Sequence, residues 1–193
     1  MTADDERSIQ QAIDIHKAMV EQFERGAVGT VSAMAEAIVQ AVQAGGTVYL
    51  CGNGGSAADA QHVAGELVGR FRRERKALPA VALATDGSVL TSIANDYGYE
   101  QTFARQVEAL VRKGDVLWAF STSGTSPNVI AAATLARSRG ARVLAFTGRV
   151  HSKLETLADL CLCAEAELTA RGQEIHQLAY HIICDLVERS FTE

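Results

Sequence analysis

Val48-Tyr49-Leu50-Cys51-Gly52-Asn53-Gly54-Gly55-Ser56 reads as a buried strand that stops in a glycine-rich polar loop. The same pattern returns at Val116-Leu117-Trp118-Ala119-Phe120, which runs into Ser121-Thr122-Ser123-Gly124-Thr125-Ser126 and then Pro127. A helical pattern follows each loop, so each sits where a strand hands the chain to a helix. Glycines let backbone approach an anion, hydroxyls donate to its oxygens, and a helix N-terminus adds unpaired N–H groups with a favourable dipole. Two such loops predict a phosphorylated ligand.

Further short apolar runs at Ala80 to Ala84, Arg142 to Phe146 and Leu160 to Ala164 alternate with helix-like segments. Two helical stretches precede them, Asp4 to Glu24 and Val31 to Ala44, parted by Gly26 and Gly29. The expected architecture is α/β: a doubly wound, mostly parallel five-stranded sheet with helices on both faces and N-terminal helices. Residues 1–193 form one domain, of which 1–44 is a helical extension. Ligands of such folds sit beyond the carboxyl ends of the strands, where both loops fall.

With 193 residues, 48% hydrophobic and two prolines, the chain has the composition of a globular domain with a full core. A net charge of -5 offers no general attraction to nucleic acid or an anionic membrane, and neither is expected as a partner. An acidic opening without an apolar h-region, and no uncharged apolar run of about 18 residues, predict a cytoplasmic protein. Cys51, Cys161, Cys163 and Cys184 lack C-x-x-C spacing and read as reduced, packed thiols.

Gly52 to Ala57 formally matches the G-x-G-x-x-A dinucleotide fingerprint, but the acidic residue that should close the next strand is missing, and no G-K-[ST] follows. A sugar phosphate fits better than a nucleotide. On the next helix Ala60, Val63, Ala64, Leu67 and Val68 form the core stripe. Asp59, His62 and Glu66 fall opposite. His62 and Glu66 share one face and can meet one metal or one substrate, although a solvated pair has the same spacing.

In the second loop an N-cap serine would explain Ser126 but not the other hydroxyls, which favours an anion site. Arg70 to Lys76 is a basic cluster at the end of the first loop's helix, mostly a solvated face. Turn chemistry accounts for Asn95-Asp96, with substrate hydroxyl binding as the other reading. In the last helix, Thr169 to Glu188, Ile175, Leu178, Ala179, Ile182, Ile183, Leu186 and Val187 trace the apolar stripe, and Gln173, His176, Gln177, Tyr180 and His181 lie off it. Gln173 and His181 are about 12 Å apart along a straight helix, hard to bring to one ion unless different subunits contribute them.

Cys51 to His62, Ser121-Thr122-Ser123-Gly124 and Gln173-Glu174-Ile175-His176 together resemble the sugar isomerase (SIS) domain family, and more closely the bacterial phosphoheptose isomerases. The resemblance runs from about Gly45 to the C-terminus. It implies interconversion of D-sedoheptulose 7-phosphate and D-glycero-D-manno-heptose 7-phosphate, the entry to ADP-heptose for lipopolysaccharide or other heptose glycans. It also implies one zinc ion per subunit at His62, Glu66, Gln173 and His181, and a homotetramer with sites between subunits. Implied substrate contacts are Asn53, Gly54, Gly55, Glu66, Asn95, Asp96, Ser121, Thr122, Ser123, Ser126 and Gln173. Ser56 from the first loop and Arg70 from the basic cluster are added to them. Val150-His151-Ser152-Lys153 departs from the short Gly-rich turn common in the family, and Lys76 stands where proline is common.

Aldose–ketose isomerisation moves a proton between adjacent carbons through an enediol, which needs a base at carbon and an acid at oxygen. Glu66 is assigned as the proton shuttle and His181 as the group acting on oxygen. The rival is a non-catalytic SIS relative that binds the replication initiator protein. Such relatives lose the acid at Glu66 and the histidine at His181, both present here.

Overall fold

The structure, a computed structural model, describes residues 2–192. Met1 and Glu193, the ends of the expected domain, lie outside the described residues. Helix α1 (Ala3–Gly26) opens with a capping box, Thr2 Oγ1 accepting from Asp5 N–H and Asp5 Oδ2 from Thr2 N–H. Helix α2 (Val28–Gln43) follows after Ala27 alone. The break expected across Gly26 to Gly29 shrinks to one residue because Ala27 stays in helical space, φ -102 and ψ -15, and serves both helices as a cap.

Strands β1 (Val48–Gly52), β2 (Ala80–Ala82), β3 (Val116–Ser121), β4 (Arg142–Thr147) and β5 (Leu160–Cys163) form one all-parallel sheet in the order β2-β1-β3-β4-β5. β2 stops at Ala82 rather than Ala84, because Thr85 Oγ1 returns to Ala82 O at 3.0 Å and turns the chain. The crossovers are α3 (Gly55–Val68), α4 (Gly87–Tyr97) with a 3-10 turn and α5 (Ala104–Leu110), α6 (Pro127–Ser138) and α7 (Lys153–Leu157), before the final α8 (Thr169–Arg189).

Alternate residues of the strands feed two cores, as the period of a strand requires. Leu50, Trp118, Phe120, Leu144 and Phe146 face α2, α3 and α8. Cys51, Leu117, Ala119, Val143 and Ala145 face α5, α6 and α7. Each large side chain buried here contributes about 1.5–3 kcal/mol of transfer free energy. α1 buries no residue against its own chain, and Ile9 and Ile13 stay 50% and 44% exposed.

α8 departs from its simple stripe. Ile175, Ala179, Ile183 and Val187 are buried as expected, but so are His176, Tyr180, Cys184 and Glu188, while Ile182 is exposed. The helix sits in a groove between α2 and α3, so a wider arc is covered, and its polar members find partners there. On α3, Val68 ends exposed rather than in the core.

All four cysteines are free, and burial pushes the Cys51 and Cys184 thiols up to about 12 and that of Cys161 to about 11, which leaves them unreactive. No helix among the described residues is long and apolar enough to cross a membrane.

Candidate active site

β1 and β3 are neighbours whose crossovers leave in opposite directions, one towards β2 and the other towards β4. This is the switch point of the sheet, the place where ligands of such folds bind, and both polar loops lie at the strand ends there. They are tied together: Asn53 Nδ2 donates to Asn128 Oδ1 and Asn128 Nδ2 to Asn53 Oδ1, each at 2.8 Å. Tyr99 Oη also donates to Asn53 Oδ1 at 2.9 Å. Both lone pairs of that oxygen are therefore taken, so Asn53 offers a ligand an N–H donor and no acceptor. Neither Asn128 nor Tyr99 stands out in the sequence, although Asn128 comes two residues after the serine loop.

The second loop gathers its hydroxyls. Ser121 Oγ lies 2.9 Å from Ser126 Oγ and 3.4 Å from Ser123 Oγ, and Ser123 Oγ takes Thr125 N–H at 3.2 Å. Ser126 is the N-cap of α6 yet makes no side-chain cap bond, so its hydroxyl serves the cluster instead of the helix. Gly124 turns the loop with φ +65, and a Cβ there would overlap Ser152. Three hydroxyls beside the start of a helix suit the oxygens of a phosphate.

His62 and Glu66 on α3 meet His181 on α8. His62 Nε2 stands 3.0 Å from Glu66 Oε1 and 3.5 Å from His181 Nε2, and one ligand atom from each residue lies within 4.8 Å of the others. Burial and the neighbouring His62 hold the His181 imidazole below its ordinary range against the pull of Glu66. Two imidazole nitrogens and a carboxylate turned towards one point form a donor set that fits a zinc-type cation with a position left open. Phe71 stacks on His181 at 5.6 Å between ring centroids.

Behind this trio the Tyr180 hydroxyl lies 3.1 Å from His62 Nδ1. Burial raises the Asp59 carboxyl above its ordinary range, opposed by His62 and Tyr180. The sequence places Tyr180 off the apolar stripe without giving it a role; its position next to His181 is the available signal.

The remaining expected residues are dispersed. Gln173 lies over Gly55, where a Cβ would overlap its amide, and two helical turns separate it from His181. Gly54 caps α3 and Ser56 turns inward, 4% exposed. Thr122 contributes its carbonyl to Gly148 N–H at 2.9 Å. Asn95 and Asp96 occupy the last turn of α4 rather than a loop, exposed and bonded to each other at 2.8 Å. Arg70 is exposed just beyond α3, without a polar partner among the described residues. In the rest of its cluster Arg72, Glu74 and Lys76 are exposed as expected, whereas Phe71, Arg73 and Arg75 turn partly inward. Glu188 takes the N–H groups of Phe71, Arg72 and Arg73, each at 2.8 Å, and Arg75 buries its side chain against the same carboxylate.

Comparison with known proteins adds three findings. The family profile described as the SIS domain matches residues 11–148. The chain is 50% identical to the phosphoheptose isomerase of Roseiflexus sp. (strain RS-1) over 185 residues, 96% of this chain and 92% of that one. Among solved structures it is similar to phosphoheptose isomerases from Neisseria gonorrhoeae (TM-score 0.90, 40% identity, 95% of this chain and 98% of that one) and Francisella tularensis (TM-score 0.92, 33% identity, 98% and 100%).

Proposed function

Because the chain belongs to the SIS-domain family, among its phosphoheptose isomerases, we propose that it interconverts D-sedoheptulose 7-phosphate and D-glycero-D-manno-heptose 7-phosphate as the first step towards ADP-heptose. The observation that carries this reading is the meeting of His181 with Glu66 on the helix that leaves the first glycine loop, with the serine hydroxyls gathered at the end of the neighbouring strand. Seven residues, about 10 Å of helix, part Gly55 from His62, which suits an extended seven-carbon phosphate held at one end and reacted at the other.

In the proposed mechanism the serine loop, with Asn53, Gly54, Gly55 and Ser56, grips the ester end and so positions the sugar. Glu66 takes a proton from C1 of the ketose, whose C1–C2 bond becomes the double bond of an enediol, and returns it to C2 to give the aldose. Glu66 turns Oε1 to His62, which leaves Oε2 for the proton. His181, kept neutral by burial, passes a proton between the two hydroxyl-bearing oxygens. Zinc, one per subunit, would be held by His62, Glu66 and His181 with Gln173, and when bound supplies Lewis acidity at the carbonyl oxygen. Gln173 would join that set from a neighbouring subunit. Arg70, Thr122, Asn95 and Asp96 are proposed as outer contacts of the sugar.

A homotetramer is supported by the uncovered apolar side of α1, and residues 1–193 are read as one SIS domain with 1–44 as its helical extension. The reduced thiols and phosphorylated substrate favour the cytoplasm. Incubating the pure protein with sedoheptulose 7-phosphate, with and without a chelator, tests the reading. Aldose should form, stop on chelation and return with added zinc. No aldose under any condition would favour the scaffold that binds the replication initiator protein.

A further inference from the structure

The hydrogen bonding around His62 does not close within the metal-type cluster. Its Nε2 faces Glu66 and His181, and its Nδ1 meets the Tyr180 hydroxyl at 3.1 Å. Tyr180 is 1% exposed and sets its ring edge-on to both imidazoles, at centroid distances of 5.4 Å from His62 and 4.7 Å from His181. One turn before His62 on α3, Asp59 buries its Oδ2 with no hydrogen-bond partner within ordinary geometry. A buried carboxylate oxygen left unpaired is unfavourable and calls for an explanation.

Proton counting supplies one. A neutral imidazole carries a single proton. With that proton on Nε2, it goes to Glu66, Nδ1 takes the proton of Tyr180, and Asp59 Oδ2 stays unpaired. With it on Nδ1, the Tyr180 oxygen accepts it, the tyrosine's own proton is free to turn towards Asp59, and Nε2 presents a bare lone pair to the Glu66 and His181 side. Only in the second arrangement is the Tyr180 proton available to the Asp59 side, where the tyrosine already acts on that carboxyl, and only there can His62 ligate through Nε2.

We infer that Asp59 and Tyr180 are positioning residues, a carboxylate and a hydroxyl in series that hold His62 in its ligating tautomer and thereby set the affinity of the cluster for a divalent cation. The inference rests on the metal reading of the proposed function. Metal-bound histidines commonly give their second N–H to a carboxylate or carbonyl, and losing that partner lowers metal affinity. Here a tyrosine stands between imidazole and carboxylate.

The test is zinc affinity of the metal-stripped full chain, measured by competition with a chromophoric chelator, with melting of the stripped forms as the control for fold. Y180F should bind zinc about 10- to 100-fold more weakly with its stripped-form melting retained. D59A should weaken binding in the same direction, and D59N, which keeps an acceptor for the hydroxyl, should restore most of it. The double variant Y180F/D59A should lose no more than Y180F alone, because both changes cut one series of contacts. Wild-type affinity in Y180F, or losses that multiply in the double variant, would overturn the inference while leaving the metal site standing. A wild-type chain without zinc affinity would remove the metal reading and this inference together. Should Y180F fail to fold, D59A against D59N decides, and equal affinities overturn it.

Discussion

Gln173 on α8 lies over Gly55 at the first position of α3, in the space a Cβ on that glycine would need. Two turns further along, the same pair of helices brings His181 to His62. The helix pair thus spans the site, with an amide at the loop end and the imidazoles at the other. G55A should displace the amide while the flexible end of Gln173 yields, so melting should hold. A misplacement of about 1 Å can cost about 100-fold in rate, and kcat/KM for the sugar phosphate should fall towards that scale. Unchanged kcat/KM with the same melting temperature would take Gln173 out of the site.

Glu66 is the proposed base, and E66Q keeps its size while removing its basicity. Turnover should drop by about 100- to 10,000-fold, the usual worth of a positioned acid or base. Calorimetric binding of the sugar phosphate should change little, since the hydroxyl loop is the proposed grip on the other end. Substantial turnover in E66Q, at matched zinc content, would reassign the base.

Much of this was legible in the sequence because doubly covered parallel strands are uninterrupted apolar runs, and because His62 and Glu66 advertise themselves by helical spacing. The buried polar side of α8 was not. His176 and Glu188 are inside because each found partners distant in sequence, the Thr147 carbonyl for one and the backbone after α3 for the other. A pattern built on hydrophobicity counts such residues as surface. Arg73 and Arg75 of the basic cluster turn to Glu188 for the same reason, since nothing local announces a carboxylate waiting on another helix.

His176 gives a pH prediction. It is fully buried with Nε2–H donating to Thr147 O at 2.9 Å, and burial pushes its pKa down to about 4 from an ordinary 6.5. The unfolded chain therefore binds this proton more readily, and stability that is complete above pH 6.5 is lost as pH falls towards 4. Between pH 7 and pH 5 the loss is about 2 kcal/mol. H176Q can still donate to the carbonyl but does not titrate there. Denaturant midpoints over that range should fall less in H176Q than in the wild type; parallel curves would show that the imidazole is not responsible.

Glu188 makes the opposite kind of contribution. Its side chain is 1% exposed, and Arg75 Nε stands 3.6 Å away, itself buried without a hydrogen-bond partner. Burial pushes the carboxyl up, but the N–H groups of Arg72, Phe71 and Arg73 and the Arg75 charge outweigh it and hold the pKa below its ordinary 4.5. That stabilisation is complete above pH 4.5 and vanishes as pH falls through the lower folded value. E188Q offers one acceptor where three N–H groups converge and leaves Arg75 uncompensated, a loss on the order of 3–5 kcal/mol. The gap between wild type and E188Q in urea unfolding should be widest at neutral pH and narrow in acid. Arg75 also donates to the Glu66 carbonyl at 2.7 Å, fastening the end of α3 that carries the proposed base. Folded E188Q should therefore lose kcat more than it raises KM, whereas an intact kcat would confine the network to stability.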